Sequence, residues 1–257
     1  MTDPLARDLA RATDAAHAAG ALLLSHWHRR AELTVESKRP GDFVSQADRG
    51  AEALLRAALM SPGDGWLGEE TEARDAPRRW IVDPLDGTTN FLRGIGQWAV
   101  SIALEIEGRR VLGVIRDPLR DETFAAVAGR GAWLNGRALD RGLPPPPGGA
   151  LWGTGLPFGT MPHIDDHADD LRRVLPDSAG IRRMGAAALD LAYVAAGRLD
   201  GFWERRLRPW DIAAGLVICR EAGLRVEGWD AADRPELSGN VIAARPELFA
   251  DLARALR

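Results

Sequence analysis

Residues 80–91 read Trp80-Ile81-Val82-Asp83-Pro84-Leu85-Asp86-Gly87-Thr88-Thr89-Asn90-Phe91. The run Arg79 to Val82 predicts a short strand that carries Asp83 out of the core. Pro84 biases Asp83 toward an extended backbone. Asp86 follows on a turn, so the two carboxylates can converge on one point. Gly87-Thr88-Thr89 then offers small residues with free N–H groups at a helix start, where orphan donors and the helix dipole receive phosphate. Acids beside a phosphate seat repel the substrate unless cations stand between them, so the segment implies metal-assisted phosphate chemistry. For a generic D-x-x-D-G the plain alternative is a solvated Asx-rich turn. An EF-hand loop is excluded, because Leu85 and Gly87 stand where that loop needs oxygen side chains.

Working outward, 99–106, 110–116 and 122–128 read as strands, with turns at Glu107-Gly108, Asp117-Pro118 and Asn135-Gly136. That is a meander, and it predicts a largely antiparallel sheet. Toward the N-terminus, Leu5, Leu9, Ala12, Ala16, Ala19, Leu23 and Trp27 recur at helical steps and predict a helix over 4–28. Residues 36–44 read as irregular, broken at Pro40-Gly41. Ser45 and Asp48 stand in capping-box spacing before a second helix, with Ala51, Leu54, Leu55, Ala58 and Leu59 as its buried stripe. Ser61-Pro62-Gly63-Asp64-Gly65 ends it. Gly142 to Gly149, with four consecutive prolines, is a stiff linker candidate. Beyond it strands (near 150–154, 180–183, 200–204, 224–227, 240–244) alternate with helices (near 165–174, 186–196, 211–222, 246–256). The expectation is an α/β layered fold in one catalytic unit of two lobes, 1–141 and 150–257.

Composition narrows the class. The chain has 257 residues, 46% hydrophobic and 27% charged, which is globular and excludes disordered, collagen-like and disulfide-scaffold readings. A net charge of −4 argues against a dedicated nucleic-acid binder. The lone Cys219 forms no internal disulfide, the first residues carry no apolar leader, and no run is long enough for a membrane span. A cytoplasmic protein is the expectation. Lys38 is the single Lys among 33 basic residues. Its place just before 41–48 points to a compact ammonium near phosphate or metal, where an Arg fork would not fit, against the plain reading of a surface lysine. On the first reading Lys38→Arg lowers kcat; unchanged kinetics would return Lys38 to the surface.

Two further segments complete a pattern: Gly68-Glu69-Glu70, and Trp210-Asp211-Ile212-Ala213-Ala214-Gly215. Each has an ordinary reading alone, as surface charge and as a helix N-cap at Asp211. With 83–91 they resemble the inositol monophosphatase family, in order and spacing. The similarity extends to 41–48 and 185–190. The resemblance implies an alternating α-β-α-β-α sandwich of the inositol monophosphatase/fructose bisphosphatase type. It also implies an Mg²⁺-dependent, lithium-sensitive, commonly homodimeric phosphatase with two or three metal ions. Glu69 and Asp83, with the carbonyl of Leu85, would hold one metal, and Asp83, Asp86 and Asp211 the second. Thr88 would orient the attacking water with Asp48 behind it. The N–H groups of Gly87 and Thr88 would hold phosphate, and Gly185, Ala186, Ala187 and Glu204 would contact the sugar alcohol. The oxygen-only ligand set independently favours Mg²⁺ or Mn²⁺ over Zn²⁺.

The substrate implied is inositol monophosphate or a similar polyol phosphate. Ala186 lacks the hydroxyl often found there in the family, which leaves histidinol phosphate, fructose 1,6-bisphosphate and 3′-phosphoadenosine nucleotides open as substrates. Some bacterial relatives join transcription antitermination complexes, so a binding role is a second class of reading. His163 and His167 at i, i+4 read as a solvated face rather than half a zinc site, and His26 and His28 as helix-end residues. Cys219 reads as a buried thiol, and Arg182-Arg183 and Arg205-Arg206 with Arg208 as surface charge or anion contacts.

Overall fold

The computed structural model describes residues 3–39, 42–140, 142, 149–156, 164–230 and 232–257, without the side chains of Lys38, Arg39 and Asp42. Pro40-Gly41, most of the 142–149 linker and His163 lie outside the described residues.

The chain runs α1 (Pro4–Trp27), β1 (Val35–Arg39), β2 (Asp42–Ser45), α2 (Gln46–Leu59), β3 (Gly65–Gly68), β4 (Arg78–Asp86) and α3 (Thr88–Arg93). Then come β5 (Ala99–Ile106), β6 (Arg109–Asp117), β7 (Glu122–Val127), β8 (Gly131–Leu134), β9 (Arg137–Ala138) and β10 (Ala150–Thr154). The rest is α4 (Ile164–Val174), β11 (Ser178–Arg182), α5 (Ala187–Ala195), β12 (Gly201–Glu204), α6 (Pro209–Glu221), β13 (Arg225–Glu227), α7 (Pro235–Ser238), β14 (Val241–Ala244) and α8 (Pro246–Leu256).

Strands β3 to β9 form a seven-stranded sheet in sequence order, antiparallel throughout except for the parallel β3–β4 pair. A second, five-stranded sheet is ordered β11-β10-β12-β14-β13. Its β11, β10 and β12 run parallel and the remaining pairs are antiparallel. Helices α1 and α2 cover one face of the large sheet, α5 and α6 fill the space between the sheets, and α4 and α8 close the far side. The five layers are helix, sheet, helix, sheet, helix.

Side-chain alternation produces the layering. On β4, Trp80 and Val82 face the core under α1 and α2, while Ile81 faces α5 and α6. On β14, Val241 and Ala243 join the central core, while Ile242 and Ala244 join the outer one. Both faces of each sheet are therefore apolar, and each Val or Ile side chain fully buried this way contributes ~1.5–3 kcal/mol. The central helices sit close because the contact residues are small. A Cβ on Gly113 of β6 would stand 2.5 Å from the Ala214 carbonyl oxygen of α6. One on Gly215 would stand 2.5 Å from Leu191 Cδ1 of α5.

Several local expectations are corrected. The face of α4 read as solvated turns His167 and Asp170 inward, where both are buried. Residues 36–44 are not irregular: β1 and β2 pair antiparallel, Glu36 opposite Val44. Their polar composition hid the strands: β1 is exposed at Val35, Glu36 and Ser37, and among the described residues only β2 buries side chains, Val44 and Ser45. In α2 the capping box forms as read, but Ala58 is exposed. The buried stripe is Ala47, Asp48, Ala51, Glu52, Leu55 and Leu59, so the helix turns two acids inward.

Candidate active site

The end of β4 supplies the first acids. Asp83 is buried, and its Oδ1 accepts the Leu85 N–H at 2.9 Å across the irregularity where β4 shifts register against β5. The strand thus runs on past Val82, and Asp86 ends it rather than standing on a turn. Asp86 is also buried; its Oδ2 accepts the Ala188 N–H at 2.8 Å. That amide is an orphan donor in the first turn of α5, so the helix N-terminus holds the carboxylate by hydrogen bond and dipole. Gly87 follows with φ 88°, a left-handed conformation that suits glycine. A Cβ there would lie 2.7 Å from the Gln97 carbonyl oxygen and 3.3 Å from Ala186 Cβ. The chain turns at Gly87 into α3, and Thr88 opens that helix.

Thr88 Oγ1 stands 3.0 Å from Asp48 Oδ1 and 3.0 Å from the Leu85 carbonyl oxygen. Asp48 is fixed from its other oxygen, which accepts Ser45 N–H at 2.8 Å and Ser45 Oγ at 2.7 Å. Its pKa is raised by burial, with these bonds opposing. Asp211 lies in the first turn of α6, where its Oδ2 accepts the Arg208 N–H at 2.6 Å. It is not itself the N-cap, since Arg208 takes that position. Ser101 Oγ of β5 donates to the Trp210 carbonyl at 3.3 Å, pinning this helix start beside β4.

These acids act on one another through their charges. Burial pushes the Asp83 pKa well above the usual carboxylate range, and the negative charges of Glu69, Asp86 and Asp211 push it further. Asp86 is raised in the same way by burial and by Asp211, against the Ala188 bond. Glu204, at the end of β12, is pushed up to about 8 by burial, with Asp211 and Asp86 adding to the rise and Arg183 opposing. Gly155 makes room for that carboxylate, since a Cβ there would collide with it. Among the described residues, no group of three or more His, Cys, Asp or Glu stands close enough together to hold a metal ion. The set is instead a group of mutually repelling oxygens, a donor chemistry that fits hard divalent cations.

Several residues were not singled out from the sequence. Asn90 Nδ2 donates to the carbonyls of Gln97 and Met184 at 2.8 Å each and lies 3.3 Å from that of Gly185. It ties the 83–91 segment to the loop before α5. Asp190 is buried on α5, its Oδ1 has no hydrogen-bond partner, and burial with the Glu204 charge raises its pKa well above normal. Glu52 is fully buried on α2. Nothing but helical spacing from Asp48 marked it. Lys38 belongs to β1, and its side chain is outside the described set.

The arginine runs divide: Arg183 acts on Glu204 and Asp190 by its charge, while Arg205 is paired away from them. Arg205 pairs with Asp170 through both nitrogens and covers Trp229 at 4.0 Å, and Arg183 donates to the Leu156 carbonyl at 3.1 Å. Cys219 is a buried thiol donating to the Leu191 carbonyl at 3.3 Å, its pKa pushed up to about 12 by burial.

A family model, the inositol monophosphatase family, matches residues 5–257. The chain belongs to the inositol monophosphatase family. An inositol-1-monophosphatase of Rhizobium meliloti is 47% identical over 234 residues, covering 88% of this chain and 85% of the relative. The Nus factor SuhB of Escherichia coli K12 is 38% identical over 251 residues, 96% of this chain and 94% of the relative. Among solved structures, the extragenic suppressor protein suhB of Bartonella henselae superposes with a TM-score of 0.91 at 44% identity, covering 95% of this chain and 96% of that one. The inositol monophosphatase of Anabaena superposes with a TM-score of 0.83 at 33% identity, covering 99% and 96%. In family terms, the expected five-layer sandwich is the fold observed.

Proposed function

We propose that the protein is an Mg²⁺-dependent phosphomonoesterase that hydrolyses inositol monophosphate or a similar small polyol phosphate. One observation carries the reading. Besides its burial, three other acids, Glu69, Asp86 and Asp211, are near enough to push the pKa of Asp83 further up. Burying like charges together costs stability unless cations compensate them. Glu69, Asp83 and the Leu85 carbonyl would hold one Mg²⁺, and Asp83, Asp86 and Asp211 another; Mn²⁺ suits the same oxygens. When bound, such ions neutralise the acids, polarise the phosphate ester and acidify water.

The chain's own groups then have distinct tasks. Thr88 has one hydroxyl hydrogen; given to Asp48, it leaves the oxygen lone pair to accept from and orient the attacking water. Ser45 holds Asp48 rigidly for that purpose. The amides of Gly87 and Thr88 would receive phosphate oxygens. Gly185, Ala186, Ala187 and Glu204 would meet the alcohol. Ala186 packs beside Gly87 with no hydroxyl to offer, so pocket shape rather than a bond at this position would sort substrates. Lys38 would supply positive charge near the phosphate. Family membership also supports expectations of a homodimer, inhibition by lithium and a cytoplasmic location.

A panel of inositol 1-phosphate, histidinol phosphate, fructose 1,6-bisphosphate and 3′-phosphoadenosine 5′-phosphate, run with Mg²⁺ and with EDTA, tests the reading. Full turnover in excess EDTA would end it. The relatives named Nus factor SuhB favour a second reading, a protein contact in transcription antitermination. Asp86→Asn separates the two: a cellular role that survives loss of phosphatase activity belongs to the binding surface.

A further inference from the structure

The turn that carries Glu69 is short, polar and on the outside of the large sheet. Its ends are tied by Trp66 and Arg74, whose amides and carbonyls exchange hydrogen bonds of 2.7 and 2.8 Å. What sits beneath its middle is Glu52. The Glu52 carboxylate has no exposed surface. One oxygen accepts the Glu70 N–H at 2.8 Å. The other accepts the Thr71 hydroxyl and lies 3.3 Å from the Trp66 indole N–H. That indole also lies 3.1 Å from Thr71 Oγ1, closing a ring of polar groups around the carboxylate. Gly68 lies directly over it, where any Cβ would strike the Glu52 carboxylate. Residues on both sides of Glu69 are thus bound to, or pressed against, one side chain of a different element.

That side chain stands one helical turn after Asp48 on the same face of α2. Asp48 engages Thr88. The N-terminal half of α2 therefore touches both flanks of the acid site, through two inward carboxylates that neither face solvent nor point at the β4 acids.

We propose that Glu52 is a positioning residue: it fixes the turn so that the Glu69 carboxylate is presented toward Asp83, and so sets the affinity of the site for a divalent cation. The inference rests on the reading of Glu69 as a cation ligand. Groups that orient ligands from behind commonly tune metal affinity by 10–100-fold. Glu52→Gln keeps the volume but sets an amide nitrogen against a donor. Thr71→Val removes one donor and leaves the carboxylate.

The experiment is calorimetric titration of Mg²⁺ into wild type and both variants, with Mg²⁺ half-saturation and substrate KM measured separately and a thermal melt of each. Expected are an Mg²⁺ Kd raised about tenfold in Glu52→Gln and by a smaller factor in Thr71→Val, with substrate KM at saturating Mg²⁺ within about twofold. A folded Glu52→Gln with wild-type Mg²⁺ affinity overturns the inference, as does a parallel loss of Mg²⁺ and substrate affinity. Should Glu52→Gln fail to fold, unchanged Mg²⁺ affinity in Thr71→Val overturns it. A wild type that hydrolyses no phosphate ester and binds no Mg²⁺ removes the underlying function instead.

Discussion

Asp86 shows how one residue can serve folding and chemistry at cross purposes. Its carboxylate satisfies the Ala188 amide, yet it sits buried beside Asp211. Asp86→Asn keeps an oxygen for Ala188 and removes the charge. The variant should lose phosphatase activity by at least ~100-fold while its metal-free form gains ~1–2 kcal/mol, or roughly 2–6 °C in Tm. Kinetics with Mg²⁺ and a melt in EDTA check the two halves. Thr88 is a simpler case. Thr88→Val keeps the shape and removes the hydroxyl that bridges Asp48 and the Leu85 carbonyl. Its kcat should fall by ~10²–10⁴ with KM little changed, measured at saturating Mg²⁺. At this scale the sequence was informative where acids sat in compact motifs and silent elsewhere. Asp83 and Asp86 announce themselves three positions apart. Glu52 and Asp190 are single acids inside helices, where a solvated face is the ordinary outcome, and only the packing of neighbouring elements turns them inward.

Among the elements, α6 does most to bring distant acids together. It carries Asp211 and lies against β4, β5, β6 and β7 on one side and α5 on another. Small residues make that fit, and Gly215→Ala tests it. The added methyl would meet Leu191, so a loss of ~1–3 kcal/mol is expected, together with weaker Mg²⁺ binding as Asp211 shifts. Chemical denaturation and calorimetry measure each; a variant as stable as wild type would show that α5 yields easily. Most elements were readable because their cues are local: Ser45 and Asp48 cap α2, and the period of two on β4 to β7 sets the sheet faces. The β1–β2 hairpin and β3 were not, because they are short and their stability comes from neighbours. For β3 these are the parallel contact with β4 and the Trp66–Arg74 pair.

For the whole molecule, buried acids make stability depend on pH in a definite direction. Asp83, Asp86 and Asp190 have folded pKa values well above the ordinary range, and Glu204 is pushed up to about 8. A folded state that binds these protons more tightly is favoured below the unfolded values near ~4 and loses that advantage as pH climbs through the folded ones. In EDTA, Tm should therefore decline between about pH 5 and pH 8, and Mg²⁺ should flatten the profile by neutralising the same groups. Melts across that range with and without Mg²⁺ decide it; a flat chelated profile would contradict the raised folded pKa values of these acids. The layer architecture was legible from the change of rhythm along the chain. How the two sheets share α5 and α6 was not, because a helix flanked by two sheets is apolar all round and reads the same as any buried helix.

That shared helical layer has a consequence for synthesis. A ribosome releases β4 to β9 well before α5 and α6, so the nascent sheet first emerges with Ile81, Ala103, Ile115 and Phe124 uncovered. Until residues 187–221 have cleared the exit tunnel, that apolar face has no intramolecular cover. During those seconds the growing polypeptide is a natural client for a chaperone, and a premature stop codon in the proline tract would leave a sticky fragment rather than a smaller working protein.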